Sequence, residues 1–165
     1  MRPANVIAPG PGQESVWDYP RPPRLELSDL EITVTLGGRL VLETNRSWRV
    51  LETASPPTHY VDSDDFAPGA LRVCEGESWC EWKGKATYYD LVAGETVAPR
   101  AAWSYLEPSP AFAPIAGYVS LYAGRVDRCT LGGEVVRAQD GDFYGGWITS
   151  RVTGPFKGEE GTLGW

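Results

Sequence analysis

A chain of 165 residues is long enough for one sizeable core and too short for two independent large domains. Its formal charge of −7, mixed in sign with no basic run, argues against general affinity for nucleic acid or anionic lipid, which both call for basic surface. Aromatic residues make up 12% of the chain and seven are Trp, so the fold holds either a bulky core or a ring-lined pocket.

Nineteen Gly and fourteen Pro, one residue in five, break helices and punctuate turns between runs rich in Val, Ile, Thr, Tyr and Trp. Residues 1–27 read as an extended arm, because Pro20, Pro22 and Pro23 exclude regular helix, with Trp17 and Tyr19 as its anchors. EITVTLGGRLVLET is a hairpin: Ile32, Val34 and Leu36 alternate, Gly37-Gly38 turns, and Leu40 and Leu42 return. SWRVLET follows as a strand, with Trp48, Val50 and Glu52 on one face and Arg49, Leu51 and Thr53 on the other.

PPTHYVDSDDF supplies a turn, a short strand and Ser63 or Asp64 as the cap of a short helix near residues 64 to 71. LRVCEGESWCEWKGKATYYDLV reads as two or three strands with tight turns at Glu75-Gly76 and Lys83-Gly84. AAWSYLEPSP begins as a strand and ends in a proline loop. GYVSLYAGRVDRC is a strand with Val119 and Leu121 on one side and Tyr118, Ser120 and Tyr122 on the other. CTLGGEVVR echoes VTLGGRLVL as a second Gly-Gly hairpin, and the aromatic, Gly-dense tail reads as an ordered arm laid over the sheet.

Five strings in order, RVLET, PPTHYVDSDDF, CEWKGKATYYD, AAWSY and GYVSLY, resemble a small bacterial family catalogued as domain of unknown function 427, sometimes labelled a nucleotidyltransferase domain. The likeness runs over about residues 30 to 122, and ESVWDYPRPP and FYGGWITSRVTGPFKG resemble its flanks. The resemblance implies a β-tent: two antiparallel sheets around one core, meeting along an edge with a pocket between them, and at most one or two short helices. Domain boundaries follow as an arm over 1–27, the β-tent over 28–128, and a hairpin and C-terminal arm over 129–165 on the same domain. Many relatives of that fold hold a structural zinc with two C-x-x-C knuckles. This chain lacks both, so no metal and no cofactor are expected.

Cys74, Cys80 and Cys129 form no C-x-x-C pair, which disfavours a disulfide framework. No apolar run reaches signal-peptide or membrane-span length, so the expectation is a soluble, cytoplasmic protein without membrane contact. A catalytic Cys80 would need nearby cations, with Lys83 and His59 as candidates, whereas a strand cysteine is ordinarily a small buried hydrophobe. Lys83 reads as a contact for an anionic ligand group or as an exposed lysine beside a turn glycine. Asp62, Asp64 and Asp65 read better as helix caps than as a magnesium site, since no phosphate-gripping turn feeds them.

Rings at Trp82, Tyr88, Tyr89, Trp103, Tyr105, Tyr118 and Tyr122 fall on or beside three strand candidates, and alternation sends Tyr88 and Tyr89 to opposite faces. The preferred reading is a pocket for a planar or cyclic metabolite built from Arg49, Glu52, Tyr60, Trp82, Lys83, Tyr88, Trp103 and Tyr105. The alternatives are an enzyme working through Cys80, Lys83 or a pocket carboxylate, and an interaction module whose arms form a homodimer.

Overall fold

The computed structural model describes residues 2–80, 83–141, 144–162 and 164–165, with the backbone alone at 76–80. The arm contributes β1 (Glu14–Ser15), and β2 (Arg24–Ser28) enters the body. β3 (Ile32–Leu36), β4 (Arg39–Thr44), β5 (Ser47–Leu51) and β6 (Thr58–Tyr60) follow. Three ten-residue strands come next: β7 (Leu71–Cys80), β8 (Gly84–Ala93) and β9 (Thr96–Tyr105). Shorter strands finish the chain: β10 (Val119–Leu121), β11 (Arg128–Leu131), β12 (Glu134–Val135), β13 (Arg137–Ala138), β14 (Trp147–Ile148) and β15 (Val152–Thr153).

The protein is mainly β, and three antiparallel sheets carry it, ordered β10-β9-β8-β7, β12-β11-β3-β4 and β2-β5-β6. Val61 and Val119 exchange backbone hydrogen bonds of 2.9 and 2.8 Å, which ties the edge strand β6 to the edge strand β10. The two Gly-Gly hairpins lie side by side in one sheet, because β3 pairs with β11 through Val34 opposite Cys129. Gly37 and Gly38 both have positive φ (58° and 74°), the conformation that a two-residue hairpin turn demands and that glycine adopts freely.

The main core lies between these sheets and is filled by Ile32, Val34, Leu42, Leu91, Val119 and Leu121, with Trp147 from the tail. Each such aliphatic side chain contributes roughly 1.5–3 kcal/mol by leaving water. The two arms make a second cluster: Val16, Trp17 and Tyr19 pack with Ile148, Val152 and Phe156 against Leu51. β1 and β15 pair in parallel, and Trp17 Nε1 donates to the Pro155 carbonyl at 2.9 Å.

Three local expectations change. Leu42 returns to the core but Leu40 does not, because the β3–β4 register slips between Val34 and Thr35; Val41 is buried in its place and Leu40 is half exposed. Glu75-Gly76 is no turn: β7 runs straight through it, and the extra residues are taken up by a register shift between Val73 and Glu77. The helix near 64 to 71 shrinks to a 3₁₀ turn over Ser63–Asp65, capped by Asp62, since Pro68 and Gly69 follow at once. Among the described residues, no helix is long and apolar enough to cross a membrane.

Candidate functional site

Alternation along β9 sets Trp103 and Tyr105 on one face of the sheet and Ser104 on the other. Register then extends the ring-bearing face sideways: Tyr88 of β8 and Ser120 of β10 both lie opposite Trp103, and Ala86 lies opposite Tyr105. Tyr60 meets these rings from β6. Its hydroxyl accepts from Trp103 Nε1 at 3.0 Å, and its ring stands edge-on to Trp103 at 6.2 Å. Val50, Phe112 and Ile115 fill the space around them, so the middle of the stripe is a packed cluster. Ser120 Oγ is buried in it without a hydrogen-bond partner.

A cation closes each end of the stripe. Lys83 is buried, contrary to the exposed alternative, and its Nζ lies 5.6 Å from the centre of the Tyr105 ring. At the other end Tyr122 packs 4.7 Å from Trp103 and carries the Arg125 guanidinium at 4.1 Å, while Arg100 lies 4.0 Å over Tyr88. Such contacts contribute about 0.5–1 kcal/mol each at exposed positions. Burial pushes the Tyr122 phenol up to about 12, helped by the neighbouring Tyr88 and its hydrogen bond.

Beyond Tyr122 the stripe opens into a cleft of about 280 Å³. One wall is the turn Tyr122–Arg125; the other is lined by residues 138–141 and 144–146, among them Gln139, Asp140 and Tyr144. Gln139 is buried and braces that wall, accepting from the Gly146 N–H at 2.9 Å and donating to the Lys157 carbonyl at 2.6 Å. Gly145 is required by contact: a Cβ there would come within 2.1 Å of the Trp103 ring. Two residues of the cleft lining, Tyr122 and Gly145, therefore pack on the Trp103 indole of the ring cluster.

The family model described as Domain of unknown function (DUF427) matches residues 24–132. The chain belongs to this family. No curated protein matches it. The DUF427 portion supplies the whole stripe and the Tyr122–Arg125 wall, whereas the residues of the facing wall, 138–141 and 144–146, lie beyond the matched residues.

Of the residues expected at the site, Tyr60, Lys83, Tyr88, Trp103 and Tyr105 come together in or beside this cluster. Tyr89 faces the main core, as alternation requires, with its hydroxyl 2.9 Å from Ser104 Oγ. Arg49 and Glu52 are not brought there. Arg49 shares the opposite face with His59, its cross-strand partner. It donates to Glu14 at 2.8 and 3.2 Å and also to Glu26. Glu52 pairs with Arg21 of the arm at 3.3 Å. Trp82 and the Cys80 side chain lie outside the described residues.

The described thiols are not activated: burial pushes Cys129 up to about 12, and burial and the nearby Asp90 raise Cys74. In the acidic group, Asp62 caps the 3₁₀ turn and Asp65 accepts from Thr44 Oγ1 at 2.7 Å. Arg125, Gly145 and the Gln139 wall were missed from sequence. Arg125 stands three residues after Tyr122, but nothing in AGRVD announces that this turn will face a later segment that begins at Ala138.

Proposed function

We propose that this protein binds a small planar or cyclic metabolite in the cleft beside Tyr122. One observation carries the reading: a concavity of about 280 Å³ opens where the aromatic stripe ends, with its ring wall backed by the buried Trp103. Small-molecule sites combine such a recess with rings and a few placed polar groups. Here the ring faces are Tyr122 and Tyr144, and the polar groups are Arg125, Asp140 and the glycine backbone. Trp103 is the wall behind the ligand, and Tyr60 fixes it by accepting the indole N–H. Tyr88 and Tyr105 continue the stripe to Lys83, which makes that lysine a second polar position along the same face.

The test is a titration of the labelled protein with indole, adenosine and small cyclic amides, following the Trp indole N–H resonances by NMR. Binding in the cleft moves the Trp103 resonance, and Tyr122→Ala weakens it by about tenfold or more, the loss of one stacking contact of roughly 1–3 kcal/mol. Hits whose affinity is unchanged in Tyr122→Ala would remove the cleft from consideration.

A further inference from the structure

The segment between β9 and β10 enters the ring cluster from outside and takes no part in the cleft. We infer that residues 106–116 form a lid over a binding site within the ring cluster, separate from the cleft, in which a small planar ring takes the place of Phe112 and its hydrogen-bonding edge meets Ser120 Oγ.

The segment holds its own shape. Tyr105 ends β9, Val119 begins β10, and the two strands pair at once, with Val119 opposite Ser104. The Gly117 N–H donates to the Tyr105 carbonyl at 3.0 Å, so the chain leaves the sheet and returns to it at nearly one point. A surface loop of this length with closed ends is an Ω-loop, a form that commonly carries function. Inside it the backbone bonds are local. The Phe112 N–H donates to the Ser109 carbonyl at 2.8 Å, Ala116 to Ala113 at 3.1 Å and Tyr118 to Ile115 at 2.9 Å. Pro108, Pro110 and Pro114 fix φ at three further positions, and Gly117, at φ +76°, supplies the return bend.

Two of its side chains reach the interior. Phe112 is 3% exposed and Ile115 is fully buried, both in the cluster with Tyr60, Tyr88, Trp103 and Tyr105. Pro108 is half-buried, and the other residues of 106–116 lie exposed. Segments with few buried apolar side chains and an exposed backbone sit at the low end of local stability, where lids are found. The cluster they enter also has a polar group left over. Ser120 lies opposite Trp103 in the β9–β10 pair, which puts its side chain on the ring-bearing face. Its Oγ is buried there with no hydrogen-bond partner. A hydroxyl taken from water without a partner is costly, and native structures seldom leave one so. The Phe112 and Ile115 side chains cannot answer it. A ring bearing a carbonyl or an N–H can, because a hydroxyl both donates and accepts. Phe112 thus gives the cluster a ring and leaves its hydroxyl unmet.

Titration of the full chain with pyridone, a planar ring with a carbonyl beside an N–H, and with benzene tests this by NMR of the isoleucine methyl groups. Packed among rings, the Ile115 methyls resonate away from their random-coil positions, and lifting the lid returns them toward those positions. Pyridone should release the Ile115 methyls in the parent chain, and its affinity in Tyr122→Ala should stay within about twofold of the parent's. Phe112→Ala should bind pyridone about tenfold tighter or more, because a closed lid reduces apparent affinity by the fraction of open molecules. Ser120→Ala should weaken pyridone about fivefold, the loss of one hydrogen bond, and leave benzene unchanged. Ile115 methyls that stay in place in the parent overturn the inference even where Phe112→Ala binds the ring, since that variant then fills only the cavity its truncation makes. A release of Ile115 that is lost in Tyr122→Ala, or a pyridone affinity that is unchanged in Ser120→Ala, overturns it as well. The cleft stands or falls separately, on the loss of affinity in Tyr122→Ala.

Discussion

His59 and Tyr60 are adjacent on β6 and face opposite regions of the molecule. Tyr60 looks into the ring cluster, where its hydroxyl accepts one indole N–H and the surrounding rings run on to the cleft. His59 looks toward the arms, stacked on Trp147 at 4.7 Å, with Ser47 Oγ 3.4 Å from its Nδ1. On the arm side, charge is consumed internally: Arg49 is shared by Glu14 and Glu26, Tyr19 donates to Glu14 at 2.9 Å, and Arg21 pairs with Glu52. On the cleft side, cations rest on ring faces around an open recess. The comparison separates cations paired with carboxylates on the arm side from cations that lie over ring faces. Polarity in a strand motif does not reveal which kind it is.

Substitutions can break this contrast. The largest effect is expected at Trp147, buried at 1% exposure and donating to the Leu121 carbonyl at 3.1 Å. Trp147→Ala should cost about 3–5 kcal/mol in urea denaturation, the range for large aromatic truncations in a core. Next comes Arg49. Replacing it with Met leaves Glu14 and Glu26 without their shared cation and should cost roughly 1.5–3 kcal/mol, as for hydrogen bonds between charged groups. The cleft ligand's affinity should stay within about twofold of the parent's. A larger loss of affinity would show that the two faces are coupled.

The smallest effect concerns His59. Burial, with Arg49 adding to it, lowers its pKa to about 3, below the unfolded value near 6.5. The unfolded chain therefore binds a proton that the folded chain refuses, so stability is complete above about 6.5 and falls as pH drops toward 3. The slope is at most about 1.4 kcal/mol per pH unit. Denaturation midpoints measured between pH 5 and 6.5, above most carboxylate titration, should show it, and His59→Gln should flatten the curve. An unchanged slope in that variant would assign the acid sensitivity elsewhere.

Much of the fold could be read from local pattern. The Gly-Gly turns, the alternation in ITVTL and the split of Tyr88 from Tyr89 all rest on the two-residue period of a strand, which each segment carries within itself. Bulges were not legible. Val41 and Glu75-Gly76 differ from their neighbours only in lying where one strand carries more residues than its partner, and that is a property of the pair.

The site divides the same way. Alternation in KATYYD and AAWSY determined that Tyr88, Trp103 and Tyr105 would share a face, because alternation and hairpin pairing act over short distances. Only the tertiary structure decided that Arg49 and Glu52 would be taken by the arm, and that Arg125 would meet Tyr144 across a cleft. Glu14 and Arg49 are 35 residues apart, and such pairings depend on how sheet edges and arms close around the core. The alternation of a single strand tells which residues share a face; which neighbour covers that face is set by the packing of the whole chain.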